Sequence, residues 1–134
     1  LDSAMKRRSL SNMNEAERKM IEAFSNFPQE EIMIQDTINN IRTWGEDKGI
    51  TGEHGKATGE SQFSKTLEEI EELSDAIKAH DLPEIKDAIG DTGVTLILLA
   101  ERYGLTFEDC LEWAYGVIAK RTGKMVDGVF CKDK

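Results

Sequence analysis

The sequence predicts an all-α domain, a bundle of four to five helices. Two observations carry that prediction: apolar residues recur at helical spacing along most of the chain, and strand signals are nearly absent. A third agrees with them, because Pro and Gly fall where helices should start or stop. With 134 residues the chain suits one compact domain with its own core. At 39% hydrophobic and 32% charged residues it is too apolar to be a disordered tail.

The elements follow in order. A first helix is expected over residues 14–25, with Asn12 or Asn14 as its cap and Pro28 beyond its end. A second spans residues 29–47, with Ile34, Ile38, Ile41 and Trp44 on one stripe. Residues 49–61, "GITGEHGKATGES", are rich in Gly, Thr and Ser and read as a loop. A third helix covers residues 62–80, its stripe formed by Phe63, Leu67, Ile70, Leu73 and Ile77. In "HDLPE", Asp81 can cap a fourth helix and Pro83 suits its first turn; the helix reaches about Tyr103, and Gly104 suits its end. "TFED" opens a fifth helix over residues 108–121, with Asp109 in the capping-box position. The tail reads as a basic turn followed by an extended piece. Residues 1–30, which carry the basic patch "KRR", are expected to form an N-terminal arm or extension, and residues 31–134 the domain proper.

Charge narrows the function. A net charge of -9 and a pI near 4.7 argue against nonspecific nucleic-acid or anionic-membrane binding. No apolar run is long enough to span a bilayer, and none has the build of a signal peptide. A chain opening on Leu1 is expected to have a processed or trimmed start. Cys110 and Cys131 make neither a disulfide framework nor a zinc pattern, so reduced thiols and a cytoplasmic location are expected.

The third helix crowds Glu68, Glu69, Glu71, Glu72 and Asp75 into two turns. A wet helical face is the ordinary explanation, and it suits Glu71 and Asp75. Glu69 and Glu72 differ, lying roughly 60° apart at the edge of the apolar stripe. On the fourth helix, Asp87 and Asp91 stand at i, i+4 just before "VTLILLA", which is apolar nearly all round and should be buried. Asp87 can serve the helix dipole. Asp91 is about two turns in and needs a hydrogen bond, a counter-charge or a metal. Two helices presenting paired acids at a buried seam are what a Mg²⁺ site in a bundle needs, and such an ion commonly bridges to substrate phosphates. Lys120, Arg121 and Lys124 then either meet a polyphosphate or complement a helix C-terminus. Trp44 reads equally as a core anchor or a stacking surface for a base. Lys65 reads first as an i, i+4 partner of Glu69. Trp113 reads as core or interface, and His54 and His80 as surface.

These residues resemble a family. "LEEIEELSDAI", "DAIGDTGVTLILLAERYGL" and "AKRTGKMVDGVFCK", with "WGEDKGI" upstream, are similar to the MazG-like all-α nucleotide pyrophosphohydrolases, above all the small phage-type members. The resemblance runs from about Met33 to the C-terminus. Glu69 and Glu72 match the family's ExxE, and Asp91 the final Asp of its ExxD. Two positions depart: Ala88 replaces the second motif's Glu, leaving Asp87 as stand-in, and Gly116 stands where members often carry Asn.

The resemblance implies hydrolysis of nucleoside triphosphates, dNTPs foremost, to monophosphate and pyrophosphate. Glu69, Glu72, Asp87 and Asp91 would hold Mg²⁺, or Mn²⁺ in its place. Glu68 would orient or deprotonate the water, while Lys65, Lys120, Arg121 and Lys124 would neutralise phosphates and Trp44 would meet the nucleotide. It also implies a homodimer or homotetramer. The alternatives are a related activity on phosphoribosyl-ATP, dUTP or ppGpp, and a non-catalytic helical oligomerisation or regulatory module.

Overall fold

The structure is a computed structural model and describes residues 13–25 and 33–134. Among these residues the chain forms five helices and one β-hairpin: α1 (Glu15–Ser25), α2 (Ile34–Asp47), α3 (Gly59–Lys78), α4 (Leu82–Arg102), α5 (Phe107–Ile118), β1 (Gly123–Val126) and β2 (Val129–Lys132). The all-α expectation holds, with the small two-stranded sheet as its single addition. Asn12, Pro28, the start of the expected second helix and the "KRR" patch lie outside the described residues.

Local chemistry sets the helix ends. Asn14 Oδ1 accepts from Glu17 N at 2.8 Å, so Asn14 caps α1. Helix α3 starts earlier than expected, inside the stretch read as a loop. Thr58 is the reason: its Oγ1 accepts from Ser61 N at 3.0 Å while Ser61 Oγ accepts from Thr58 N at 2.9 Å. This reciprocal cap outweighs the low helix propensity of Gly59. Asp81 caps α4 through Glu84 N, with Pro83 in the first turn, and Thr106 caps α5 through Asp109 N. Helix α5 stops at Ile118, short of the expected Arg121.

The antiparallel pair α3–α4 is the centre of the fold and has the most extensive packing between elements; α2 and α5 contact α4, and α1 touches it too. Leu98 on α4 is the most deeply buried large side chain, 2% exposed. A Cβ at Gly45 would come within 2.5 Å of Leu98, so glycine lets α2 approach α4 this closely. Arg102 closes the far end, donating to the carbonyls of Ala57 at 3.0 Å and Gly52 at 3.1 Å. The 48–58 loop is thereby tied to α4.

The apolar stripe of α3 does not face α4. The buried residues of α3 are Gln62, Thr66, Glu69 and Ala76, while Phe63, Leu67, Ile70 and Ile77 are each about half exposed. The inner stripe sits about one residue, or roughly 100°, from the apolar one. Nor is Trp113 a core residue, since it is 79% exposed and α5 buries nothing.

Candidate metal centre

The site is assembled by the register between α3 and α4. Gln62, buried in the first turns of α3, donates from Nε2 to the carbonyl of Thr95 at 3.2 Å. Its position on the inner stripe, seven residues before Glu69, aims Glu69 at α4 as well. Asp91 stands one turn before Thr95 and is half-buried. Carboxylate oxygens of Glu69, Glu72 and Asp91 consequently lie within 4.8 Å of one another. Glu69 is only 7% exposed, whereas Glu72 reaches the site from the exposed side.

The electrostatics are those of a crowded anionic site. The Glu72 carboxyl is raised above its ordinary pKa, first by its hydrogen bond to Glu69 and then by the Glu69 charge. Asp91 is raised first by burial, then by the Asp87 charge and the Glu69 charge. Lys65 answers part of this, at 3.4 Å from Glu69 Oε1 and 3.3 Å from Glu68 Oε1. Glu69 Oε2 is buried and accepts no hydrogen bond. A buried carboxylate oxygen with no donor is costly, and Glu69 stands beside two further carboxylates.

A hard divalent cation fits this set. The donors are all oxygen, carboxylate oxygens of three residues lie within 4.8 Å of one another, and Glu69 keeps a buried oxygen without a donor. Among the described residues the cluster includes no His or Cys, which disfavours zinc.

The structure thus brings Glu69, Glu72 and Asp91 together. Asp87, exposed, adjoins Asp91 by hydrogen bond and charge but lies outside the three-carboxylate group. Position 88 supplies a buried methyl instead of a ligand. Glu68 borders the site through Lys65. Trp44 is exposed near the end of α2. Lys120, Arg121 and Lys124 are exposed around the hairpin's base and form no ion pair with the cluster.

A second charged group escaped the sequence reading. Arg42 on α2 pairs with Glu101 on α4 at 2.8 Å and with Glu108 on α5, and Gln35 donates to Glu108 at 2.8 Å. The Arg42 and Gln35 hydrogen bonds lower the Glu108 carboxyl to about 2. The two α2 residues lie more than fifty positions from the two glutamates, so no local pattern joins them. Gln62 did leave a signal, an amide on the same helical row as Glu69.

The domain model for "MazG nucleotide pyrophosphohydrolase domain" matches residues 57–124, half of the chain. The chain belongs to the MazG family. That match spans Glu68, Glu69, Glu72, Asp87 and Asp91 as well as Lys120, Arg121 and Lys124, and leaves Trp44 outside. The chain is also similar to a Haemophilus phage HP1 (strain HP1c1) protein described as "Uncharacterized 18.2 kDa protein in rep-hol intergenic region", 35% identical over 69 residues. The aligned part is 52% of this MazG chain and 40% of that relative, so the chain spans well under half of the relative's length. No solved structure matches. Among the described residues, no helix is long and apolar enough to cross a membrane.

Proposed function

We propose that this MazG-family protein hydrolyses nucleoside triphosphates, with dNTPs as first candidates, to nucleoside monophosphate and pyrophosphate. The observation that carries the reading is the buried, unpartnered Glu69 Oε2 inside a three-carboxylate cluster at the α3–α4 seam. Glu69, Glu72 and Asp91 would hold Mg²⁺ or Mn²⁺, with Asp87 alongside. Such an ion polarises a phosphate oxygen and lowers the pKa of bound water.

The chain's own groups do the rest. Glu68, held by Lys65, lies at the edge of the cluster and can orient a water or take its proton. That water's oxygen forms a bond to the α-phosphorus, and the bond from the α-phosphorus to the bridging oxygen breaks. Pyrophosphate leaves with that oxygen, and the water's protons pass to Glu68 and solvent. Lys65, Lys120, Arg121 and Lys124 would neutralise the phosphates, and exposed Trp44 offers a face for the base. The protein would act in the cytoplasm as a homodimer or homotetramer, without nucleic acid or membrane as partner. The large apolar surface left open on α3 and α5 supports assembly.

The test is pyrophosphate release from a panel of NTPs and dNTPs with Mg²⁺. Release by the wild type and its loss in Glu72→Gln are expected. If no nucleotide of the panel yields pyrophosphate, the reading fails.

A further inference from the structure

Helix α3 has two faces of opposite kind. The inner one, Gln62, Thr66, Glu69 and Ala76, is polar or small and already meets α4. The outer one, Phe63, Leu67, Ile70 and Ile77, is apolar and open. A regular apolar row on a helix is normally the row that gets covered. Here the described chain leaves it bare, and Ile89 on α4 is exposed as well.

The hairpin has the matching deficit. Asp127 and Gly128 both take positive φ, 50° and 81°, forming the two-residue turn that favours tight ribbons. Met125 pairs with Phe130 on one face of the ribbon, and Val126 with Val129 on the other. All eight strand residues are exposed. A lone two-stranded ribbon is marginal in water, so this one needs a surface to lie on.

Charge selects the surface. Helix α3 carries six carboxylates and two lysines. Residues 119–134 carry five basic side chains and two acids. Packing α3 on another α3 would bring acidic flanks together, whereas laying the hairpin on α3 sets Lys120, Arg121, Lys124 and Lys132 against them. Within one chain both surfaces stay exposed, so the chain does not make this contact with itself.

We infer that the hairpin of one copy docks on the outer apolar row of α3 in a second copy, in a twofold dimer that makes the contact twice. Leu67 and Ile70 share α3 with Glu69 and Glu72, so the docked arm brings its basic base to the rim of the partner's acid cluster. A role for those bases on substrate phosphates rests on the hydrolase reading; the docking does not.

The experiment uses the full chain without nucleotide or metal, so its outcome is separate from that of the hydrolysis assay. In a Cys110→Ser background, native Cys131 on β2 is cross-linked by a short bismaleimide to a thiol placed at Leu67→Cys or Ile77→Cys. Sedimentation of the wild type should show a dimer. Either α3 thiol should give a covalent dimer whose joined peptides contain Cys131, and Glu53→Cys in the 48–58 loop should give none. Val126→Asp with Val129→Asp, on the strand face that also carries Cys131, should abolish both the cross-link and the dimer. A monomer at every concentration overturns the inference. So does a dimer in which neither α3 thiol reaches Cys131, or one that survives the double aspartate change.

Discussion

Around Arg42 each carboxylate pairs directly with a guanidinium, whereas of the three clustered carboxylates around Glu69 only Glu69 itself pairs with a cation. Glu101 and Glu108 share one guanidinium between three helices, and Gln35 supports Glu108. Glu69, Glu72 and Asp91 have one lysine among them, which Glu68 also claims, and Glu69 Oε2 is left with no donor. Both groups contact α4, and both are partly shielded from water. The first holds helices together by direct ion pairs to one shared guanidinium. The second costs stability when empty, because burial and like charge both oppose ionisation. Clustered carboxylates left without direct cationic partners mark a site shaped for a ligand that supplies positive charge.

The sharpest way to break the contrast is Glu69→Gln. It should lower pyrophosphate release by about 100-fold or more, since several kcal/mol of transition-state charge stabilisation run through the cation it helps hold. Metal-free thermal stability should not fall, because one of the crowded charges is gone. A parallel loss of stability and activity would mean that Glu69 is a structural residue.

Cation binding follows in size. A divalent cation at 100 times its Kd should stabilise the wild type by about 2.7 kcal/mol. Calorimetry with Mg²⁺ or Mn²⁺ should show that gain, and Glu69→Gln should lose most of it. Arg42→Met inverts the pattern. It leaves Glu101 and Glu108 without their shared partner and should cost about 2 kcal/mol of stability while the cation-induced gain stays intact. Equal behaviour of the two variants would erase the distinction between the clusters.

The same contrast has a pH signature. Glu72 and Asp91 have raised folded-state pKa values, so the metal-free protein gains stability from them as pH falls through that range. Glu108 has the opposite sign, at about 2 when folded against an ordinary 4.5. Its contribution is complete above 4.5 and is lost as pH falls from there toward 2. Glu108 is partly exposed, which keeps that contribution modest. Melting curves in chelator should therefore show that Glu72→Gln removes a rise on mild acidification, and Glu108→Gln removes a fall at lower pH.

These clusters also show how far the sequence could be read. Glu69, Glu72 and Asp91 were legible because helical spacing and an acid inside a buried helix are local facts. The Arg42 group was not, because its members meet only once three helices are packed. Periodicity correctly grouped Phe63, Leu67, Ile70 and Ile77 on one face, and that face stays about half exposed within the chain. Periodicity says which residues share a side and cannot say which neighbour takes that side. The hairpin was within reach: "VDGV" sets the Asp-Gly turn dipeptide between apolar residues, and the reading stopped at an extended piece.

The smallest effect tests how rigidly α3 carries its site. Thr58→Ala removes the side-chain acceptor for Ser61 N and should cost about 1 kcal/mol of stability. Fraying should begin at Gly59 and weaken the Gln62–Thr95 bond first. Glu69 lies nearly three turns into the helix, so the cation Kd should change by less than about twofold if fraying stays in the opening turns. A larger change would mean that the register set by Gln62 reaches the carboxylates. The acid cluster would then depend on a cap eleven residues before Glu69, and the first turns of α3 would belong to the site.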